Sequence, residues 1–231
     1  MNAIEIRNLS KSFRGMYAVD HLNMTVPQGA IYGFIGENGS GKSTTEKLIC
    51  GHLVPDGGEI KLFGRDYSDP GVRVRVGALI ENAGCFPSSS VYQNLRMQTI
   101  NLGLEDPDAE IRRVLEIVRM EEHANLKFKK CSLGMKQRIG IAMALLGDPA
   151  LLILDEPING LDTDGMRIMR EVFTDIVRGG ERSIVVIFAP VGRAAKGGYP
   201  LRHHPPRQDD PGDDRRRAGR KLPYLCGNPN G

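Results

Sequence analysis

The sequence predicts an α/β fold built on a mostly parallel sheet covered on both faces, with a helical insert. Three observations carry this. Short apolar runs alternate with segments of helical periodicity, and the later runs are apolar throughout instead of alternating. Two helical segments also follow one another without a strand between them. In chain order, AIEIRNL (3–9), AIYGFIG (30–36), GEIKLFG (58–64), VGALIE (76–81), LLILDE (151–156) and SIVVIF (183–188) read as strands. Residues 91–102, 109–120, 135–146 and 164–177 repeat apolar side chains at three- and four-residue spacing and read as helices, the first two forming the insert.

At 231 residues and 40% hydrophobic content the chain can bury the core of one domain, or of one domain with a subdomain. No window approaches the roughly 20 apolar residues of a membrane span, and MNAIEIRNLSKSF lacks the apolar centre of a signal peptide, so a membrane role requires partner chains. Cys50, Cys85, Cys131 and Cys226 stand far apart without metal-type spacing and are read as incidental thiols of a reducing compartment. The formal charge of +3 is unevenly placed: residues 188–231 carry 9 Lys+Arg and 4 Asp+Glu, leaving 22 and 24, a net of −2, to residues 1–187. The body therefore has no basic stripe, and no nucleic-acid partner is expected.

GENGSGKST, residues 36–44, stands between a strand and a helical stretch, the setting a phosphate-binding loop requires. Gly36, Gly39 and Gly41 let backbone N–H groups converge on phosphate oxygens, with Asn38 and Thr44 in the same loop. Lys42 neutralises the β and γ phosphates, Ser43 offers a hydroxyl to Mg²⁺, and the helix adds its positive end. LLILDEP ends in two acids at the edge where a parallel sheet presents ligands. Asp155 is placed to hold Mg²⁺ and Glu156 to accept a proton from the water that attacks the γ-phosphate.

Between these sites, CSLGMKQRIGIAMALLGDPALLILDEPINGLD resembles the ATP-binding subunit of an ABC transporter. The resemblance covers residues 4–187. It implies a P-loop NTPase (ABC ATPase) core with a mostly parallel sheet, an N-terminal antiparallel β portion and a helical subdomain at about residues 85–147. Where the family reads Leu-Ser-Gly-Gly-Gln, this chain has Cys131, Ser132, Leu133, Gly134 and Met135. The retained Ser132 and Gly134 imply a second anion site that closes over ATP held by another subunit, hence a head-to-tail homodimer or pseudo-dimer. Phe13 stands where an aromatic stacks on adenine, with Tyr17 the alternative and a core aromatic the plain reading of Phe13.

Glu81 occupies the place of a γ-phosphate-sensing Gln. There it can reach Mg²⁺ or the attacking water, but it adds negative charge beside the triphosphate. In NGLD, Asp162 is the polar contact to the partner subunit. Glu81 and SLGMKQ together resemble the bacitracin-resistance and lantibiotic-immunity exporter branch. This implies ATP-driven export of a peptide antibiotic or similar amphiphile through separately encoded permease subunits, which residues 85–94 would meet at the inner face of the cell membrane. Two other classes fit less well. Soluble relatives in repair or translation require a long coiled-coil insert or a second ATPase domain, and a small-molecule kinase would not require SLGMKQR before LLILDEP.

The tail departs from this pattern. In the family the last strand leads into Ser-Ser-His, whose His contacts the γ-phosphate; here Phe188-Ala189-Pro190 follows, with no His before His203. Half of the 14 prolines fall after residue 187, so residues 188–231 are read as a disordered segment outside the domain of 1–187. Reading one nucleotide on from Ile187 with permitted codons gives SSHPSAELQKVATPYGIIRQGRMI, which restores the missing elements. A frameshift near Ile187 is therefore the reading preferred over an evolved tail, and it implies a chain that binds ATP but hydrolyses it poorly.

Overall fold

The structure is a computed structural model and describes residues 1–81 and 83–189. β1 (Asn2–Phe13) and β2 (Met16–Pro27) form a long antiparallel hairpin, closed by Arg14 and Gly15 at positive φ. β4 (Gly57–Leu62) and β5 (Arg65–Asp66) extend it to a sheet of order β2-β1-β4-β5. β3 (Ile31–Ile35), β6 (Val76–Leu79), β7 (Leu151–Asp155) and β8 (Ser183–Phe188) form a parallel sheet of order β3-β8-β7-β6. The expected parallel sheet, antiparallel portion and helical subdomain are all present.

Periodicity gives neither the two-residue β5 nor the long β2. In β2, Leu22, Met24 and Val26 alternate inward, but the pairing with β1 slips between Leu9 and Ser12 and His21 takes a φ of 46°, so the period of two is broken halfway along.

The parallel strands are apolar throughout because each face meets a different core. Leu151, Ile153, Val185 and Ile187 pack toward the antiparallel sheet and α1 (Lys42–Ile49), while Leu152, Leu154, Ile184 and Val186 pack toward the helices. On the helical side lie α3 (Val91–Asn101), α4 (Pro107–Ile117), α5 (Leu133–Leu145) and α6 (Thr163–Val177), with the single turn α2 (Pro70–Arg73) elsewhere. Caps set the starts that periodicity placed late. Asp106 accepts from Ala109 N, with Pro107 next, so α4 begins at 107 instead of 109; Ser132 accepts from Met135 N, so α5 begins at 133 instead of 135. α5 lies directly on β6: a Cβ at Gly77 would stand 1.9 Å from the Ala144 carbonyl oxygen.

Arg138 of α5 donates to the carbonyls of Val118 and Arg119, and Arg119 pairs with Glu171 and Asp175 of α6, which ties α5 and the end of α4 to α6. The domain end expected at 187 falls inside β8, which runs on to Phe188 in register with Ile35. The reading of the tail as disordered or frameshifted concerns positions that, from 190 onward, lie outside the described residues.

Candidate functional site

Strand register brings the candidate chemistry to one edge. Ile35 pairs with Phe188, Ile187 with Asp155 and Leu154 with Leu79, so the glycine loop, the two acids and Glu81 all leave the parallel sheet at its C-terminal end. The loop is fastened there by Gly36 N donating to the Phe188 carbonyl at 3.3 Å and by Ser40 N donating to the Glu37 carbonyl at 3.1 Å. Gly41 has a φ of 88°, and a Cβ on it would stand 2.1 Å from the Ala18 carbonyl oxygen of β2, so no side chain fits. Asn38 and Gly39 form the exposed crest, followed by exposed Ser43 and half-buried Thr44. No side chain caps α1, which leaves its first turn to an anion. Lys42 is 7% exposed, and its Nζ donates to the carbonyls of Gly36 at 2.7 Å and Glu37 at 2.9 Å. Its ammonium is thus folded over the cradle in which a phosphate would sit.

Asp155 ends β7, where burial and then the neighbouring Glu156 push its carboxyl above the ordinary range. Glu156 takes a φ of 45°, its N–H donates to the Ile187 carbonyl at 3.0 Å, and Asn159 Nδ2 donates to its Oε2 at 2.8 Å. Glu81 also has a left-handed φ, 60°, and its Oε1 accepts from Lys47 Nζ at 3.5 Å. Two glutamates in a conformation that L-residues avoid, both at the ligand edge, mark strain held by the surrounding fold. The hydroxyl of Ser43 and the carboxylates of Asp155 and Glu81 are hard oxygen donors of the kind Mg²⁺ takes, and Glu156 beside Asp155 adds negative charge that a cation would offset. Asn159 was not singled out from sequence, although it lies in the NGLD stretch, three residues beyond Glu156.

Glu46, on the inward face of α1, was also missed; its sign in the sequence is an acid between Thr45 and the apolar Leu48-Ile49 of the same face. It is 0% exposed, and neither carboxylate oxygen has a partner among the described residues. Burial first, then Asp155 and Glu81 against the opposing charge of Lys47, raise its pKa to about 8. From the ordinary carboxylate range up to about 8, the folded chain holds a proton that the unfolded chain has released. Stability therefore falls as pH rises through that window and levels off above it. Glu46→Leu is expected to flatten this slope and to stabilise the protein at about pH 9 by on the order of 2–4 kcal/mol, measured by urea unfolding at about pH 5 and about pH 9. An unchanged difference between the two pH values would assign the slope to other groups.

Phe13 is 45% exposed and Tyr17 65%, so the core reading of Phe13 does not hold. Both flank the tip of the hairpin whose Ala18 abuts Gly41, and the ammonium of Lys11 lies 5.6 Å from the centre of the Phe13 ring. Ser132, Gly134 and Asp162 meet in a separate cleft of about 400 Å³, lined also by Leu133, Gly160 and Leu161 and by none of the glycine-loop residues. Within it Ser132 caps α5, and Asp162 caps α6 by accepting from Gly165 N at 2.8 Å. Cys50, Cys85 and Cys131 are free thiols.

Residues 19–159 match the ABC transporter family. The chain is 39% identical over 188 residues to the bacitracin transport ATP-binding protein BcrA of Bacillus licheniformis, an alignment covering 80% of this chain and 60% of that one, less than two thirds of the relative's length. It is 38% identical to the lantibiotic transport ATP-binding protein SrtF of Streptococcus pyogenes, over 73% of this chain and 72% of that one. Among solved structures it is similar to cbiO1 of Clostridium perfringens, described as part of the ABC transporter complex cbiONQ, with a TM-score of 0.74 and 27% identity over 82% of this chain and 79% of that one.

Proposed function

From the premise that this chain belongs to the ABC transporter ATP-binding family, we propose that it binds and hydrolyses ATP to drive transport through separate membrane subunits. The observation that carries the reading is the convergence of the glycine loop, Lys42, Asp155 and Glu156 on one sheet edge. The loop N–H groups and Lys42 bind the triphosphate, Phe13 or Tyr17 lies against the base, and Glu156, oriented by Asn159, takes the proton of the attacking water. Mg²⁺, when bound at Ser43 and Asp155 with Glu81, offsets the phosphate charge.

Ser132 and Gly134, in a cleft apart from the loop, serve the nucleotide held by a second ATPase subunit. The named cargoes of the relatives support export of a peptide antibiotic or similar amphiphile. No helix of the described residues is long and apolar enough to cross a membrane, which fits a peripheral subunit docked on permeases through residues 85–94, where Phe86 is 59% exposed.

A second reading, a copy impaired in hydrolysis, is favoured by β8. After Ile187 of this strand, Phe188-Ala189-Pro190 stands where the family has Ser-Ser-His, so Pro190, which lies outside the described residues, takes the sequence position of the histidine that would serve the γ-phosphate. Ser132→Arg tests the dimeric reading: it is expected to leave ATP binding by the isolated chain unchanged and to abolish ATP-dependent dimerisation in size-exclusion chromatography. Dimers in the variant would place the contact elsewhere.

A further inference from the structure

The ligand edge holds four acids, Glu46, Glu81, Asp155 and Glu156, and the lysines set against them are Lys42 and Lys47. Lys42 is committed to the loop carbonyls of Gly36 and Glu37 and, in the reading above, to phosphate. Lys47, one turn and a half further along α1, faces Glu81. Its backbone is fixed, since its carbonyl accepts from His52 N at 2.8 Å and Leu53 N at 3.1 Å, so only the side chain is free to move. The Lys47–Glu81 pair spans 3.5 Å, with side chains 39% and 68% exposed, a weak ion pair that a doubly charged cation can displace. Glu81 in turn stands at the left-handed turn where β6 leaves for the segment leading to α3.

We propose that Lys47 is a positioning residue for Glu81: its ammonium holds the Glu81 carboxylate in the absence of a divalent cation, so that Glu81 is shared between Lys47 and that cation. The proposal rests on the assignment of Glu81 to the Mg²⁺ site. Lys47 thereby sets the Mg²⁺ concentration at which the site fills, and it offsets the charge that a glutamate brings beside triphosphate.

The test is binding of a fluorescent ATP analogue titrated with Mg²⁺ at moderate salt. It compares the wild type with Lys47→Met, Lys47→Arg, Glu81→Gln and the double variant Lys47→Met/Glu81→Gln. Lys47→Met is expected to lower the half-saturating Mg²⁺ about three- to tenfold, Lys47→Arg to behave as wild type, and Lys47→Met to add nothing once Glu81 is Gln. An equal shift with and without Glu81 overturns the proposal, because Lys47 would then act by long-range charge alone. Normal binding with no shift in Lys47→Met likewise overturns it. A wild type that binds the analogue at no Mg²⁺ concentration overturns the nucleotide-site reading itself, and the proposal with it.

Discussion

Lys42→Ala is expected to weaken ATP binding by about 2–4 kcal/mol, roughly 30- to 1,000-fold, as expected for an ammonium contacting triphosphate in a shielded site. Lys42 is nearly buried, and its two hydrogen bonds run to carbonyl oxygens of the same loop. Removing the ammonium leaves those carbonyls facing each other and the incoming phosphates with no cation between them. The fold should survive, because the loop is also held through Gly36 N on Phe188 and the packing of Gly41 against Ala18. Equilibrium dialysis with labelled ATP, beside an unchanged melting temperature, checks the loss. Wild-type affinity in a folded variant would remove Lys42 from the site.

Glu156→Gln is expected to spare ATP binding and to cut hydrolysis at least a hundredfold, the usual contribution of a positioned base. The amide keeps an acceptor oxygen for Asn159 Nδ2 and the backbone bond to Ile187, so geometry is retained while the capacity to take a proton is lost. ATP bound but not cleaved should then hold two subunits together, visible as an ATP-dependent dimer in size-exclusion chromatography. Single-turnover measurement of labelled phosphate release provides the rate. Turnover equal to wild type would mean that another group is the base.

The elements most legible in sequence were those whose signal is local. The glycine loop sits between strand and helix within residues 31–49, and LLILD carries its acids directly at its end. The apolar runs of β7 and β8 correctly signalled two covered faces, since a strand packed on both sides has no polar alternation to show. β2 was lost because its bulges break the period, and the starts of α4 and α5 because the caps Asp106 and Ser132 precede the apolar pattern. The exposure of Phe13 could not be read from its type, as an aromatic at a strand end suits a core equally well.

By itself, then, the sequence determined the fold class and the family resemblance, and it set the glycine loop after one strand and the acids Asp155 and Glu156 at the end of another, because each is written in residues close together in the chain. Tertiary structure alone decided which of the side chains act on one another. Lys47 on Glu81 and the burial of Glu46 near Asp155 and Glu81 depend on segments brought together from distant parts of the chain, whereas Asn159 on Glu156 spans three residues and depends on how the turn after β7 folds. The left-handed backbones of Glu81 and Glu156 likewise exist only because the assembled sheet edge holds them. Local patterning fixes elements, but burial and charge are set by what folding packs against them, and that is where the chemistry of this site arises.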